Sequence, residues 1–85
     1  MTSALTFVIE DYARASSNGD AVRAVLIPML QDKSAVLREG VIYGLSHHLD
    51  GAVVAILERM AAHDPSAGVR QAASDILDEW RDKST

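Results

Sequence analysis

Apolar residues recur along this chain at helical spacing, in five stretches separated by short polar breaks. Leu5, Val8, Ile9, Tyr12 and Ala13 share one face of a first helix running from about Ser3, its candidate cap, to Ser16. Ser16-Ser17-Asn18-Gly19 stops it, with Asn18 or Gly19 suited to a left-handed cap. Asp20 is placed to cap a second helix whose inner face is Val22, Val25, Leu26, Met29 and Leu30. Pro28 lies inside that helix, where it removes a backbone hydrogen bond and predicts a kink. Ser34 is the candidate cap of a third helix ending near Leu49, with Leu37, Val41 and Leu45 inward and Gly40 and Gly44 facing them. A helix-interior glycine costs about 1 kcal/mol relative to alanine. Two on one face therefore predict that another helix backbone comes close. Asp50-Gly51 breaks the chain again, and a fourth helix over about Ala52–Ala62 buries Val53, Ile56, Leu57 and Met60. Asp64-Pro65-Ser66 turns into a fifth helix with Val69, Ala72, Ala73, Ile76, Leu77 and Trp80 as its stripe, fraying from Arg81 to Thr85.

The stretches are not independent. Asp32-Lys33-Ser34-Ala35-Val36-Leu37-Arg38 returns 32 residues later as Asp64-Pro65-Ser66-Ala67-Gly68-Val69-Arg70: an Asp, a Ser two on, an aliphatic, then an Arg six after the Asp. The same offset matches Gly19 with Gly51, Val22 with Val54 and Leu45 with Leu77. A fixed period of this length marks stacked repeats. The two boxes resemble the HEAT repeat, a helix–turn–helix unit whose second helix opens with an aliphatic–Arg pair after an Asp-bearing turn. The resemblance implies an all-α fold, a short right-handed α–α superhelix of about five helices. Residues 3–17 would be a half repeat, 20–49 the first full repeat and 51–81 the second, all in one domain. It also implies that Asp32, Arg38, Asp64 and Arg70 hydrogen-bond along the row of turns and hold successive units in register. Thr6 stands where the others have arginine, which suits the end of a stack.

Composition narrows the classes. The 85 residues make one domain with a modest core. With 48% hydrophobic and 24% charged residues the chain is globular, not disordered. Cysteine is absent, which removes disulfides, thiolate metal sites and thiol nucleophiles. The apolar opening from Met1 to Ile9 lacks a basic flank and is too short for a signal peptide or a membrane span. The expectation is a cytoplasmic protein without membrane contact. The formal charge is −4 and the basic residues are scattered, so direct nucleic-acid binding is disfavoured and a basic protein partner favoured.

Candidate chemistry is sparse. Asp32 with Arg38 and Asp64 with Arg70 could be read as acid–base pairs, but a charge-assisted Asp–Arg bond suits a scaffold better. His47 and His48 are adjacent and so point about 100° apart on a helix. Metal ligands on one helix need i, i+3 or i+4 spacing, and His63 does not complete a set. No nucleophile elbow, phosphate loop or paired carboxylates occur, so neither catalysis nor a cofactor nor a metal is expected.

The outward faces say more. Opposite the buried stripes lie Glu39, Tyr43 and Ser46 on the third helix, Gln71, Asp75 and Asp78 on the fifth, and Phe7, Asp11 and Arg14 on the first. In HEAT proteins such helices line the concave binding wall. The candidate contact residues are therefore Phe7, Asp11, Glu39, Tyr43, Asp75 and Asp78, an acidic stripe with two aromatics, which are enriched at hot spots. The leading expectation is a non-catalytic protein-interaction module, an adaptor docking a protein partner there. One alternative is a small bacterial or phage inhibitor or immunity protein that blocks a basic enzyme, such as a nuclease, by acidic mimicry. Another is a structural homo-oligomer, a homodimer through the stack ends, with Trp80 as anchor or as a lid on the last repeat.

Overall fold

The computed structural model describes residues 9, 11–13, 15 and 17–84. The fold is all-α: five helices, with no strand among the described residues. They are α1 (described at residues 9, 11–13 and 15), α2 (Gly19–Met29), α3 (Ala35–Leu45), α4 (Gly51–His63) and α5 (Ala67–Ser84). None is long and apolar enough to cross a membrane among the described residues.

Each break in the hydrophobic pattern contains the residue that caps the next helix. Ser34 Oγ accepts from the Leu37 N–H at 3.2 Å, Asp50 Oδ1 from Val53 at 2.9 Å and Ser66 Oγ from Val69 at 3.4 Å. For α2 the cap is Asn18, not Asp20: its Oδ1 accepts from Ala21, and its carbonyl takes the Val22 N–H at 3.1 Å to open the helix. Asp20 falls into the first turn, where a carboxylate suits the helix dipole. Capping keeps Asn18 at φ −97°, and no described residue has a positive φ, so the expected left-handed stop is not used.

Other boundaries also differ from the sequence reading. Pro28 does not kink a longer helix; it is the next-to-last residue of α2. Beyond it the chain closes with tighter i→i+3 bonds, Leu30 N–H to Ile27 O, Gln31 to Pro28 and Asp32 to Met29. Helix α3 stops at Leu45, because residues 46–48 must turn to bring Asp50 onto the start of α4. Helix α5 does not fray at Arg81: it continues to Ser84, with Arg81 and Lys83 in the last turn favouring the dipole.

The core is one cluster to which all five helices contribute, from Ile9 and Ala13 on α1 to Ile76 and Leu77 on α5. Helix α3 packs against α2 and α5, and α5 also against α4. The close approach anticipated at the α3 glycines is present at Gly44. A Cβ there would lie 3.1 Å from Ile9 Cγ2, 3.2 Å from Leu26 Cδ1 and 3.6 Å from the Ile9 carbonyl oxygen. Gly40 is likewise buried. Two residues assigned to inner faces point outward instead: Tyr12 is 43% and Val25 52% exposed.

Candidate interaction face and the turns that set it

The two Asp–Ser–Arg boxes fold identically. In each, the Asp Oδ1 accepts from the Ser N–H two residues on, at 2.8 Å for Asp32 and 2.9 Å for Asp64. In each, the Arg Nη1 returns to the carbonyl oxygen of its own Asp, at 2.7 Å from Arg38 and 2.6 Å from Arg70. The units are joined by the remaining edge of Arg38, whose Nε and Nη2 both reach the Asp64 carboxylate at 3.0 Å. This bidentate pair is the strong form of the charge-assisted bond. It is shielded, with the side chains 12% and 7% exposed. Burial alone would raise the Asp64 carboxyl, but the Arg38 and Ser66 hydrogen bonds and the Arg38 and Arg70 charges together hold it below the ordinary aspartate range.

With Arg38 fixed on Asp64, the start of α3 is tied to the turn that opens α5, and α3 packs along α5. A second tie brings α1 into the row, where His48 in the α3–α4 turn donates its Nε2 hydrogen to the Ala13 carbonyl oxygen. Asp11, Tyr43 and Asp75, one residue per helix at the same repeat position, are all exposed, and so is Asp78. Asp75 accepts from Gln71 Nε2 at 2.8 Å, while Asp78 lies 3.7 Å from Arg81. Both links are at the surface and contribute little. Phe7 lies outside the described residues.

Glu39 is less exposed than the other described candidates for the contact face. It is half-buried, and a Cβ at Gly68 would come within 3.0 Å of its Oε2. Its carboxylate therefore lies beside Gly68 in the first turn of α5, the end of a helix dipole that favours a negative charge.

Two features carried no signal in the sequence. Arg23 joins α2 to the α3–α4 turn, with Nε 3.0 Å from Asp50 Oδ2, Nη1 2.9 Å from the His48 carbonyl, and Nη2 on Asp20. No fixed spacing links residues 23, 48 and 50. The second is a cleft of about 470 Å³ between that turn and the end of α5, floored by Leu49, Ile76 and Trp80 and rimmed by His47, Glu79 and Lys83. Trp80 is thus the half-buried wall of a cleft within the chain. His47 and His48 belong to this turn, not to the last turn of α3.

Comparison with known proteins finds no match: no family model, no curated protein and no solved structure.

Proposed function

We propose that this chain is a non-catalytic protein-interaction module, a short HEAT-like stack that works in the cytoplasm and docks a basic protein partner on the outer face of α1, α3 and α5. The observation that supports it most is that Asp11, Tyr43 and Asp75, at one repeat position of α1, α3 and α5, are all exposed, while the Arg38–Asp64 pair ties α3 to the turn before α5. Two carboxylates flanking an aromatic ring offer a basic chain both charge complementarity and an apolar anchor. The scaffold reading of the boxes fits this assignment, since neither candidate pair meets through its carboxylate: Arg38 and Arg70 each bond the carbonyl oxygen of their own Asp, and the Asp64 carboxylate is taken by Arg38 of the other box.

The test compares capture from the native host by the wild type and by Tyr43→Ala/Asp75→Lys. Glu39 is left intact, because its half-buried carboxylate lies beside Gly68 of α5. A single basic partner lost in the variant, with circular dichroism unchanged, is the expected result. A partner retained by the variant would remove the face from consideration. Steep loss of binding with salt, to one basic enzyme, would turn the reading from adaptor to inhibitor by acidic mimicry.

A further inference from the structure

The first-type helices, α2 and α4, which open the repeats ahead of the second-type α3 and α5, begin on matching dipeptides: Asn18-Gly19 and, 32 residues later, Asp50-Gly51. The two caps work alike, Asn18 Oδ1 accepting from the Ala21 N–H at 3.1 Å and Asp50 Oδ1 from Val53 at 2.9 Å. The glycines differ. A Cβ at Gly51 would meet nothing within 4 Å, whereas one at Gly19 would lie 3.0 Å from Arg23 Nη1 and 3.2 Å from His48 Nδ1. Arg23 is pinned there by Asp50 and the His48 carbonyl, so the packing calls for a glycine directly after Asn18.

Asn18 is the only asparagine in the chain, and it is exposed. Gly19 is the first residue of α2, so its N–H has no acceptor within the helix. Without a Cβ, nothing on that residue shields its nitrogen from the Asn18 side chain. The Ala21 bond holds the amide in the cap, but an exposed helix end opens locally at little cost. Asp50 is a poorer target for the same attack, because its carboxylate is anionic and holds Arg23 Nε at 3.0 Å.

We propose that Asn18 is a site of spontaneous deamidation in the folded protein, with water as the co-reactant. The Gly19 nitrogen bonds to Asn18 Cγ, the Cγ–Nδ2 bond breaks, and ammonia leaves carrying the proton from Gly19. Water then opens the five-membered imide in one of two ways. Cleavage between the nitrogen and Cγ gives aspartate, and cleavage between the nitrogen and the main-chain carbonyl carbon gives isoaspartate. Nothing is oxidised or reduced. Aspartate at position 18 reproduces the cap that Asp50 makes on α4, and adds a negative charge at the end of the dipole that favours it. Isoaspartate routes the chain through the former side chain, so the carbonyl that takes the Val22 N–H at 3.1 Å leaves the backbone. An ageing chain therefore divides into a capped and an uncapped form.

Incubation of the full folded chain in mildly alkaline buffer tests this, read by intact mass, ammonia assay and peptide mapping. The expected result is ammonia release with aspartate and isoaspartate both at position 18, faster as pH rises because the Gly19 nitrogen must lose its proton. Asn18→Ser, which keeps a capping oxygen, should release none, and Gly19→Ala should slow release several-fold. The isoaspartate form, separated by charge, should melt below Asn18→Asp. An amide that survives in the folded chain overturns the proposal, and its loss only after unfolding in urea would place the protection in the cap. Ammonia release that persists in Asn18→Ser, or isoaspartate at Asp50 alone, overturns it too. An isoaspartate form that melts with Asn18→Asp overturns the division into capped and uncapped chains.

Discussion

Arg38 and Arg70 hold the same position in the repeat, yet their side chains are used differently. Arg38 grips the Asp64 carboxylate with two nitrogens and the Asp32 carbonyl with a third, whereas among the described residues Arg70 makes only the carbonyl bond. Removing Arg38 strands a shielded carboxylate, so Arg38→Ala should cost about 3 kcal/mol, against about 1 kcal/mol for Arg70→Ala. Urea unfolding of both variants checks this, and equal midpoints would show that the boxes are not joined as described. Asp64 adds a pH signature. Its folded pKa is depressed, so its stabilisation is complete above the ordinary aspartate value of about 3.9 and is lost as pH falls through the folded value. The melting-temperature gap between wild type and Asp64→Asn should therefore be wide at neutral pH and close in strong acid. A gap that stays constant would contradict the depressed value.

At the scale of the helix, two glycines give opposite forecasts. Gly51 opens α4, and a methyl group added there would have nothing within 4 Å, so Gly51→Ala should stabilise by about 0.5 kcal/mol through backbone entropy. At Gly44 the same methyl meets the β-branched Ile9 and the buried Leu26. Overpacking of about 1–3 kcal/mol should outweigh the helix-propensity gain of about 1 kcal/mol, leaving Gly44→Ala destabilised. Thermal melts of the two variants moving the same way would mean that α1 is not seated on α3 at this point. The glycine contact was legible in the sequence because the unfavourable residue had to be explained. The second-type helices were legible position by position, since Val41 and Ala73, and Leu45 and Leu77, share both offset and burial. The first-type helices were not. Six residues separate Leu26 from Asp32 where seven separate Leu57 from Asp64, because the longer rise of the i→i+3 turn after Pro28 spans the same distance with fewer residues. That shift moves the phase by one and turned Val25 from an apparent core residue into an edge. On the candidate face, outward phase alone placed Asp11, Tyr43, Asp75 and Asp78. Glu39 escaped it because its orientation depends on space beside Gly68, a fact of the neighbouring helix and not of its own.

At the scale of the molecule, what keeps so short a stack finite is the change of residue type at equivalent positions. An 85-residue chain has a narrow margin of stability and little apolar surface to leave open. Glu58, Ser74 and Arg81 follow Ile27, Ile42 and Leu49 by 31 or 32 residues and put polar groups on α4 and α5 where the earlier unit is apolar. Restoring the internal residues by Glu58→Ile/Ser74→Ile/Arg81→Leu should leave the fold intact, because all three side chains lie at the rim and none fills the core. It would, however, make that end apolar, like the side of α2 on which Ala21, Ala24, Val25 and Pro28 are exposed, the edge a next copy would present. The contact so created is heterologous, and a heterologous contact whose rotation does not close builds open chains. Light scattering of the triple variant should show species that grow without limit as concentration rises, while the single substitution Ser74→Ile gives a smaller effect. Adding Val25→Glu to the triple variant should arrest the growth, since it removes the edge that receives the opened end. Growth that ignores Val25→Glu would mean the opened ends pair with each other, and the directional stack would have to be abandoned.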